Sequence, residues 1–245
     1  MNQPSPSVGT CLDVQSFINA QPLSRYQWRV VILCFLIVFL DGLDTAAMGF
    51  IAPALSQDWG IDRASLGPVM SAALIGMVFG ALGSGPLADR FGRKVVLVGA
   101  VLVFGAFSLA SAYSTNVDQL LVLRFLTGLG LGAGMPNATT LLSEYTPERH
   151  KSLLVTSMFC GFNLGMAGGG FISAKLIPLF GWHSLLLIGG ILPLILVGVL
   201  LMWLPESARY LVVRNRGTDK VRKALAPIDP ATVAQAASFS VPEQK

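Results

Sequence analysis

Two acidic residues interrupt a long apolar stretch near the start of the sequence. Asp41 and Asp44 are three positions apart, so a helix places both carboxylates on one face. The apolar stretch runs from Trp28 to about Ala54, which is long enough to cross a bilayer. Because a carboxylate inside a membrane is energetically expensive, we interpret the pair as functional, with the chemistry of binding and releasing a proton.

A guanidinium in the fourth apolar segment is the candidate partner for these acids. Asp41 is roughly 20 Å along a helix from Trp28, inside a hydrocarbon core about 30 Å thick. Arg124 is roughly 9 Å from the opposite interface, so the acids and the guanidinium lie at similar depth. The sequence therefore allows an ion pair between the first and fourth segments. A purely structural salt bridge is the alternative to a substrate-binding role for Arg124.

The charges of these side chains indicate what they would bind. Two carboxylates and one guanidinium leave one excess negative charge, which a proton would neutralise. Arg124 would then engage an anionic substrate that enters together with the proton. In the fifth segment, Asn163 either contacts substrate in a cavity or caps a local kink.

The chain has the composition of an integral membrane protein. Of its 245 residues, 53% are hydrophobic and 12% are charged, whereas about a quarter of an ordinary soluble domain is charged. The cysteines show no metal-ligand spacing, and no basic stripe is interleaved with aromatic residues. We therefore expect a lipid bilayer around the chain, no metal or other cofactor, and no nucleic-acid partner.

Six apolar segments are each long enough to span a bilayer. They cover residues 28–54, 65–88, 95–113, 119–142, 152–177 and 182–204. Most of the 17 basic residues fall on the side of the N-terminus, which predicts that this side is cytoplasmic. The first three segments and the last three have opposite orientations, which is the inverted 3+3 repeat of transporter halves.

The segments divide the sequence into three parts. Residues 1–27 form a predicted cytoplasmic arm, residues 28–204 the transmembrane bundle, and residues 205–245 the start of a central cytoplasmic loop. In the arm, Asp13 can cap a short helix whose apolar face lies on the membrane surface. A disordered tail is the alternative for this arm.

The most specific motif lies between the second and third segments. It reads Gly85-Pro86-Leu87-Ala88-Asp89-Arg90-Phe91-Gly92-Arg93-Lys94. Its glycines, Gly85 and Gly92, permit a tight turn and close helix contact, while Asp89 and Arg93 provide charges at the interface. The motif resembles the signature of the major facilitator superfamily. This resemblance implies a twelve-helix fold in two halves, of which this all-α chain forms the first, and a missing C-terminal six-helix half as partner.

Further elements resemble the same superfamily. Segment four carries the arginine and glycine pattern, in which Gly128 and Gly132 have the spacing of helix-packing glycines. Two cytoplasmic pieces resemble the charged gate of its sugar-porter-like branch. The resemblance implies that Glu144 and Glu206 face Arg93, Arg149 or Arg209 in one state, with Asp89 part of the same gate. As exposed pairs, each would contribute only about 0–1 kcal/mol.

The acidic pair itself carries the narrowest resemblance. Asp41-Gly42-Leu43-Asp44 matches the D-G-x-D signature of the aromatic acid:proton symporter family. The resemblance implies proton-coupled uptake of small aromatic carboxylates, such as 4-hydroxybenzoate and protocatechuate, across the bacterial inner membrane. Sugar or other organic-solute transport by the same fold, and a non-transporting six-helix membrane fragment, are the alternatives. We expect no enzymatic activity, because both Asp residues lie on one helix instead of facing each other.

Overall fold

The computed structural model describes residues 11–236 and 238–241. In this part of the chain, six helices are long and apolar enough to cross a membrane. They are α2 (Arg25–Trp59), α3 (Gly67–Phe91), α4 (Arg93–Ser111), α5 (Val117–Tyr145), α6 (Glu148–Phe180) and α7 (His183–Trp203). A short 3₁₀ helix, Arg63–Leu66, precedes α3. The six-span all-α membrane bundle predicted from the sequence is confirmed.

Local sequence signals set the ends of these helices. Ser24 and Gln27 form a reciprocal capping box at the start of α2, which satisfies amide groups that have no partner within the helix. Three helices end at glycines with positive φ, Gly60 at 63°, Gly92 at 102° and Gly181 at 76°. Glycine adopts this left-handed region without steric cost, so each chain reversal takes very few residues.

Several helices extend beyond the predicted segments. Helix α2 continues past residue 54 to Trp59, and α6 already begins at Glu148, before the predicted start at residue 152. Asp89 and Arg90 belong to α3, so Gly92 alone separates α3 from α4. These predictions were wrong because polar residues at the membrane surface remain compatible with helical backbone, and polarity therefore does not mark the helix end.

Much of the packing of the six helices follows the predicted inverted repeat, although α4 packs more extensively on α5 than α7 does on α2. In that repeat α2, α3 and α4 correspond to α5, α6 and α7. The two most extensive contacts are those of α2 with α6 and of α3 with α5, and the repeat makes each the counterpart of the other. The contacts of α4 with α7 and of α2 with α5 each join two helices that the repeat makes equivalent. The first helix of each triplet thus packs against the second helix of the other.

Glycines make these two helix contacts close. A Cβ atom at Gly165 of α6 would overlap the Phe39 carbonyl of α2, and one at Gly42 of α2 would overlap the Phe162 carbonyl of α6. The α3–α5 contact repeats the arrangement, since a Cβ at Gly132 would overlap the Met77 carbonyl. Gly128 meets the carbonyl of Ala73 on α3 in the same way. The packing role predicted for Gly128 and Gly132 therefore agrees with the structure, and Gly42 has the same role.

Gly85 does not follow this pattern. It lies inside α3, and a Cβ atom there would meet open space in the described part of the chain. The predicted role of Gly85 in a tight turn was wrong, because the turn occurs seven residues later at Gly92.

Two apolar clusters fill the bundle, one towards each end. On α2 the first cluster reaches Leu40 and the second begins at Ala47. On α5 the first cluster ends at Leu131, and the second cluster ends at Leu120. Thr127, which lies between these limits, is buried and donates to its own backbone at Leu123. The five other buried polar side chains of this level are called the polar layer: Asp41, Asp44, Ser108, Ser111 and Arg124.

The N-terminal arm and the C-terminal tail fold together at one end of the bundle. This end also carries Arg93 and Lys94 and is called the basic end below. The elements are β1 (Cys11–Asp13), α1 (Val14–Ala20), α8 (Ala208–Val213), α9 (Thr218–Leu225), α10 (Pro230–Gln235) and β2 (Ser238–Ser240). Strands β1 and β2 pair in parallel. Both parts therefore belong to one folded unit.

The predicted capping of α1 is confirmed, and its apolar face is buried in protein instead of being free to face a membrane surface. The Gln15 amide donates to Asp13 Oδ1 at 3.2 Å. Phe17 and Ile18 are buried in the same apolar cluster as Val221 of α9. The apolar face of α1 is thus buried within the protein's own apolar cluster, which was not apparent from local sequence.

We predict that adding one methyl group at Gly165 separates α2 from α6. Gly165→Ala forces the Phe39 carbonyl to move and lowers the free energy of unfolding by about 1–3 kcal/mol. Thermal unfolding of the complete, detergent-purified protein measures the effect. Gly198→Ala in α7 is the matched control, because a Cβ there meets open space. Equal unfolding temperatures for the two variants would contradict the close contact.

Candidate functional site

The polar layer centres on an ion pair between the first and fourth membrane helices. Arg124 Nη1 lies 3.2 Å from Asp44 Oδ2. The two side chains are only 1% and 2% exposed. The predicted ion pair between these two helices is therefore present, and the structure assigns it to Asp44. Because each charge is buried, each depends on the other for its stability.

Two serines on α4 hold this pair in place. Ser108 donates to Asp44 Oδ1 at 2.5 Å, and Arg124 Nε donates to Ser111 Oγ at 3.3 Å. Gly189 of α7 faces the same carboxylate, and a Cβ atom there would stand 3.3 Å from Asp44 Oδ1. Four helices therefore enclose Asp44.

These serines were missed when the sequence was read. A signal was present, because Ser108 and Ser111 are the only hydroxyl-bearing residues in α4 and lie three positions apart. That spacing places both hydroxyl groups on one helix face. Single serines in a membrane helix commonly bond to their own backbone, so the pattern alone did not identify partners on other helices.

Asp41 is in a different environment from Asp44. Its side chain is 2% exposed, and its Oδ1 accepts a hydrogen bond from Thr45 Oγ1 at 3.3 Å. Among the described residues, Asp41 has no basic side chain within 4.0 Å. The excess negative charge expected for this region therefore belongs to Asp41.

The two predicted substrate-binding residues do not share a surface. Arg124 is enclosed in the bundle, and its Nη2 atom has no hydrogen-bond partner among the described residues. The side chain of Asn163 is exposed on α6. A single site containing both residues is therefore not formed in this conformation. The burial of Arg124 follows from its partners on α2 and α4, which its position in the sequence did not reveal.

At the basic end, Arg93 and Glu144 form the central pair of the predicted gate. Arg93 Nε lies 3.0 Å from Glu144 Oε1, and Arg93 Nη2 lies 4.0 Å from Asp89 Oδ1. The side chains of Arg93 and Glu144 are 20% and 11% exposed. The prediction of exposed gate pairs was therefore wrong for this one. Burial strengthens the interaction relative to a surface pair.

The other predicted gate residues have different partners. Glu206 Oε1 accepts from the backbone amides of Lys94 and Ser207, at 3.0 and 2.9 Å, and so caps the start of α4. Arg149 donates to the Gln21 carbonyl at 3.0 Å. Arg209 lines the cleft beside Arg93 and Glu144. In this conformation Glu206 faces backbone amides instead of an arginine.

The six-helix bundle with its inverted repeat defines a membrane transporter fold. The chain belongs to the major facilitator superfamily, whose sequence profile matches residues 34–239. Its fold is similar to that of the proton:xylose symporter XylE bound to 6-bromo-6-deoxy-D-glucose, with a TM-score of 0.73. The sequence identity is 22%, and the match covers 86% of this chain and 51% of that chain. At this identity the likeness concerns the fold alone.

Two relatives are much more similar in sequence. The chain is 87% identical to the 4-hydroxybenzoate transporter PcaK of Pseudomonas putida over 245 residues, which are 100% of this chain and 55% of that protein. It is 83% identical to the 4-hydroxybenzoate transporter PcaK of Pseudomonas aeruginosa, with the same coverage. The chain thus spans about half the length of the curated relatives it matches.

We predict unequal effects on stability for the same substitution at the two acids. Asp44→Asn leaves the Arg124 guanidinium buried without a counter-charge and lowers the free energy of unfolding by about 3–5 kcal/mol. Asp41→Asn removes a buried charge that has no cationic partner and changes it by less than about 1 kcal/mol. Unfolding of the purified complete protein in detergent distinguishes the two. A larger loss of stability for Asp41→Asn would contradict the assignment of Asp44 as the partner of Arg124.

We predict that the Arg93–Glu144 pair stabilises the basic end more than a surface pair does. A double-mutant cycle with Arg93→Met and Glu144→Met should give a coupling free energy of about 1–3 kcal/mol. The exposed pair of Glu148 and Lys151, with the same substitutions, is the control and should give less than about 1 kcal/mol. Thermal or denaturant unfolding provides both values, and equal couplings would refute the effect of burial.

Proposed function

We propose that the chain forms the first six-helix unit of a secondary transporter that takes up aromatic carboxylates, such as 4-hydroxybenzoate and protocatechuate, together with protons. The 87% identity to a 4-hydroxybenzoate transporter over this entire chain carries the proposal. The buried acids of the polar layer support the proton-coupled part, because carboxylates at this depth are typical of proton pathways. The coupling ion is a proton, and no other cofactor takes part.

Proton binding is assigned to Asp41. Asp44 is compensated by Arg124 and by the hydrogen bond from Ser108. Asp41 lacks a cationic neighbour among the described residues, so adding a proton there removes an uncompensated buried charge. One proton on Asp41 and one substrate carboxylate together add no net charge to the polar layer. The pair can therefore cross the membrane at lower electrostatic cost than either charge alone.

Arg124 is the proposed contact for the substrate carboxylate. Its Nη2 atom has no partner among the described residues, although the rest of the guanidinium is bound. A guanidinium binds a carboxylate in a directional, often bidentate geometry. Because the group is enclosed here, contact requires a shift of α2 or α5. Substrate binding and helix movement would therefore occur together. Contact of the same substrate with Asn163, which is exposed on α6, requires that this movement also brings the two surfaces together.

Transport requires a second six-helix unit. Alternating access moves one bundle against another around a central site. Helices α3 and α6 are the least buried of the six and expose large apolar side chains, which a second bundle would cover. We place the basic end in the cytoplasm, with the protein in the bacterial inner membrane, because basic residues concentrate at that end.

Two other functions remain in competition. A sugar transporter has the same fold, but the likeness to the xylose symporter at 22% identity carries no substrate information. A six-helix membrane protein without transport activity would contain the same polar layer as a structural salt bridge. The high identity to a named 4-hydroxybenzoate transporter favours the aromatic acid.

We predict that bacteria producing the complete protein accumulate labelled 4-hydroxybenzoate when the outside is made more acidic, and do not accumulate xylose. In Asp41→Asn, uptake driven by the pH difference falls to simple equilibration, because the proton-binding carboxylate is absent. Exchange of labelled for unlabelled substrate continues, since it needs no net proton movement.

The matched control is Thr45→Val, which removes the hydrogen bond to Asp41 and retains the carboxylate. It should keep pH-driven accumulation. Accumulation by Asp41→Asn equal to that of the unmodified protein would overturn the assignment of the proton. Preference for xylose over 4-hydroxybenzoate would overturn the substrate class.

A further inference from the structure

A groove between α2 and α7 lies apart from the polar layer and from the gate. Its volume is about 640 Å³, and it runs along the surface of the bundle at the basic end. Two arginines, two tryptophans and aliphatic side chains line it. None of these side chains has a role in the proposed transport mechanism.

Two cations lie at the polar end of the groove. Arg25 and Arg29 are exposed and one helical turn apart on α2, so their guanidinium groups share a face. Neither has a carboxylate within 4.0 Å in the part of the chain that the structure describes. Arg29 lies 6.0 Å from the centre of the Tyr26 ring, a contact that leaves its positive charge uncompensated. The site therefore favours an anion.

The remainder of the groove is apolar and typical of a lipid-facing surface. Trp28 and Trp203 are 46% and 54% exposed, and tryptophan concentrates where a membrane meets water. Ile32 and Leu36 continue the same face of α2 below the arginines, and Val199 provides the facing wall. Helix α7 has no polar side chain from Leu185 to Trp203, so this side of the bundle suits hydrocarbon.

We propose that this groove binds an anionic glycerophospholipid of the phosphatidylglycerol type. The phosphodiester lies between Arg25 and Arg29, and one acyl chain follows Ile32 and Leu36. The distance along the helix from Arg25 to Leu36 is roughly 16 Å, which matches a headgroup and the upper part of an acyl chain. Basic pockets between membrane helices recognise anionic headgroups in this way. The bound lipid fixes the start of α2, the helix that carries both acids of the polar layer.

The proposal predicts selective binding that depends on the two arginines. The complete protein is purified in detergent, and binding of phosphatidylglycerol and of phosphatidylcholine with identical acyl chains is measured by native mass spectrometry. We expect tighter binding of phosphatidylglycerol. The double variant Arg25→Gln, Arg29→Gln should weaken it about 25-fold, because each cation near a membrane surface contributes a factor of about five. Phosphatidylcholine binding should change little.

The matched control removes two cations elsewhere at the basic end. Lys220→Gln with Lys223→Gln alters exposed residues of α9, outside the groove, and should leave phosphatidylglycerol binding unchanged. An equal loss in this control would show a general effect of surface charge and overturn the site. A third variant, Val199→Trp, fills the groove without changing charge and should also weaken binding. Equal binding of the two lipids would refute the proposal. This result is expected if a second six-helix unit covers the groove.

Discussion

The ion pair between Asp44 and Arg124 is the interaction on which the arrangement of the bundle depends. Both side chains are almost completely buried, so separation would leave each charge without water or a counter-ion. Ser108 binds the second carboxylate oxygen of Asp44, and Ser111 binds Nε of Arg124, which makes α4 part of the same unit. Three helices from both triplets are therefore fixed relative to one another at a single level. The adjacent Asp41 is left with a hydrogen bond but no cation, which makes it the one uncompensated charge of the layer.

Glycine contacts bring the helices close enough for that layer to exist. Gly42 lies between the two acids in sequence and allows the backbone of α6 to approach α2. The equivalent contact of α3 with α5 includes Gly128 and Gly132, which are near Arg124 on the same helix. On both α2 and α5, glycines that permit close packing therefore lie within about two helical turns of the residues that carry charge. Repeating this arrangement in both triplets gives the bundle its internal symmetry.

The basic end adds a second level of polar contacts. Arg93 and Glu144 join the start of α4 to the end of α5, and Glu206 caps α4 from the segment that follows α7. Gln27 donates to the Tyr145 carbonyl at 2.7 Å, which joins α2 to the same place. The helix ends that surround the gate are therefore connected through short hydrogen bonds. Helices α2 and α5 take part in both levels and so connect the polar layer physically to the predicted gate residues.

The sequence by itself determined the membrane class, the six spans, the family motif and the candidate charges. These follow from the length of the apolar segments, from the positions of glycine and proline, and from ionisable residues inside apolar segments. All of these are local properties of the sequence. Tertiary structure alone decided that Asp44 and not Asp41 pairs with Arg124, and that Ser108 and Ser111 complete the pair. It also decided that the apolar face of α1 is buried within the protein. Two acids on one helix face are equivalent until neighbouring helices approach them, so no local pattern can distinguish which one receives the cation.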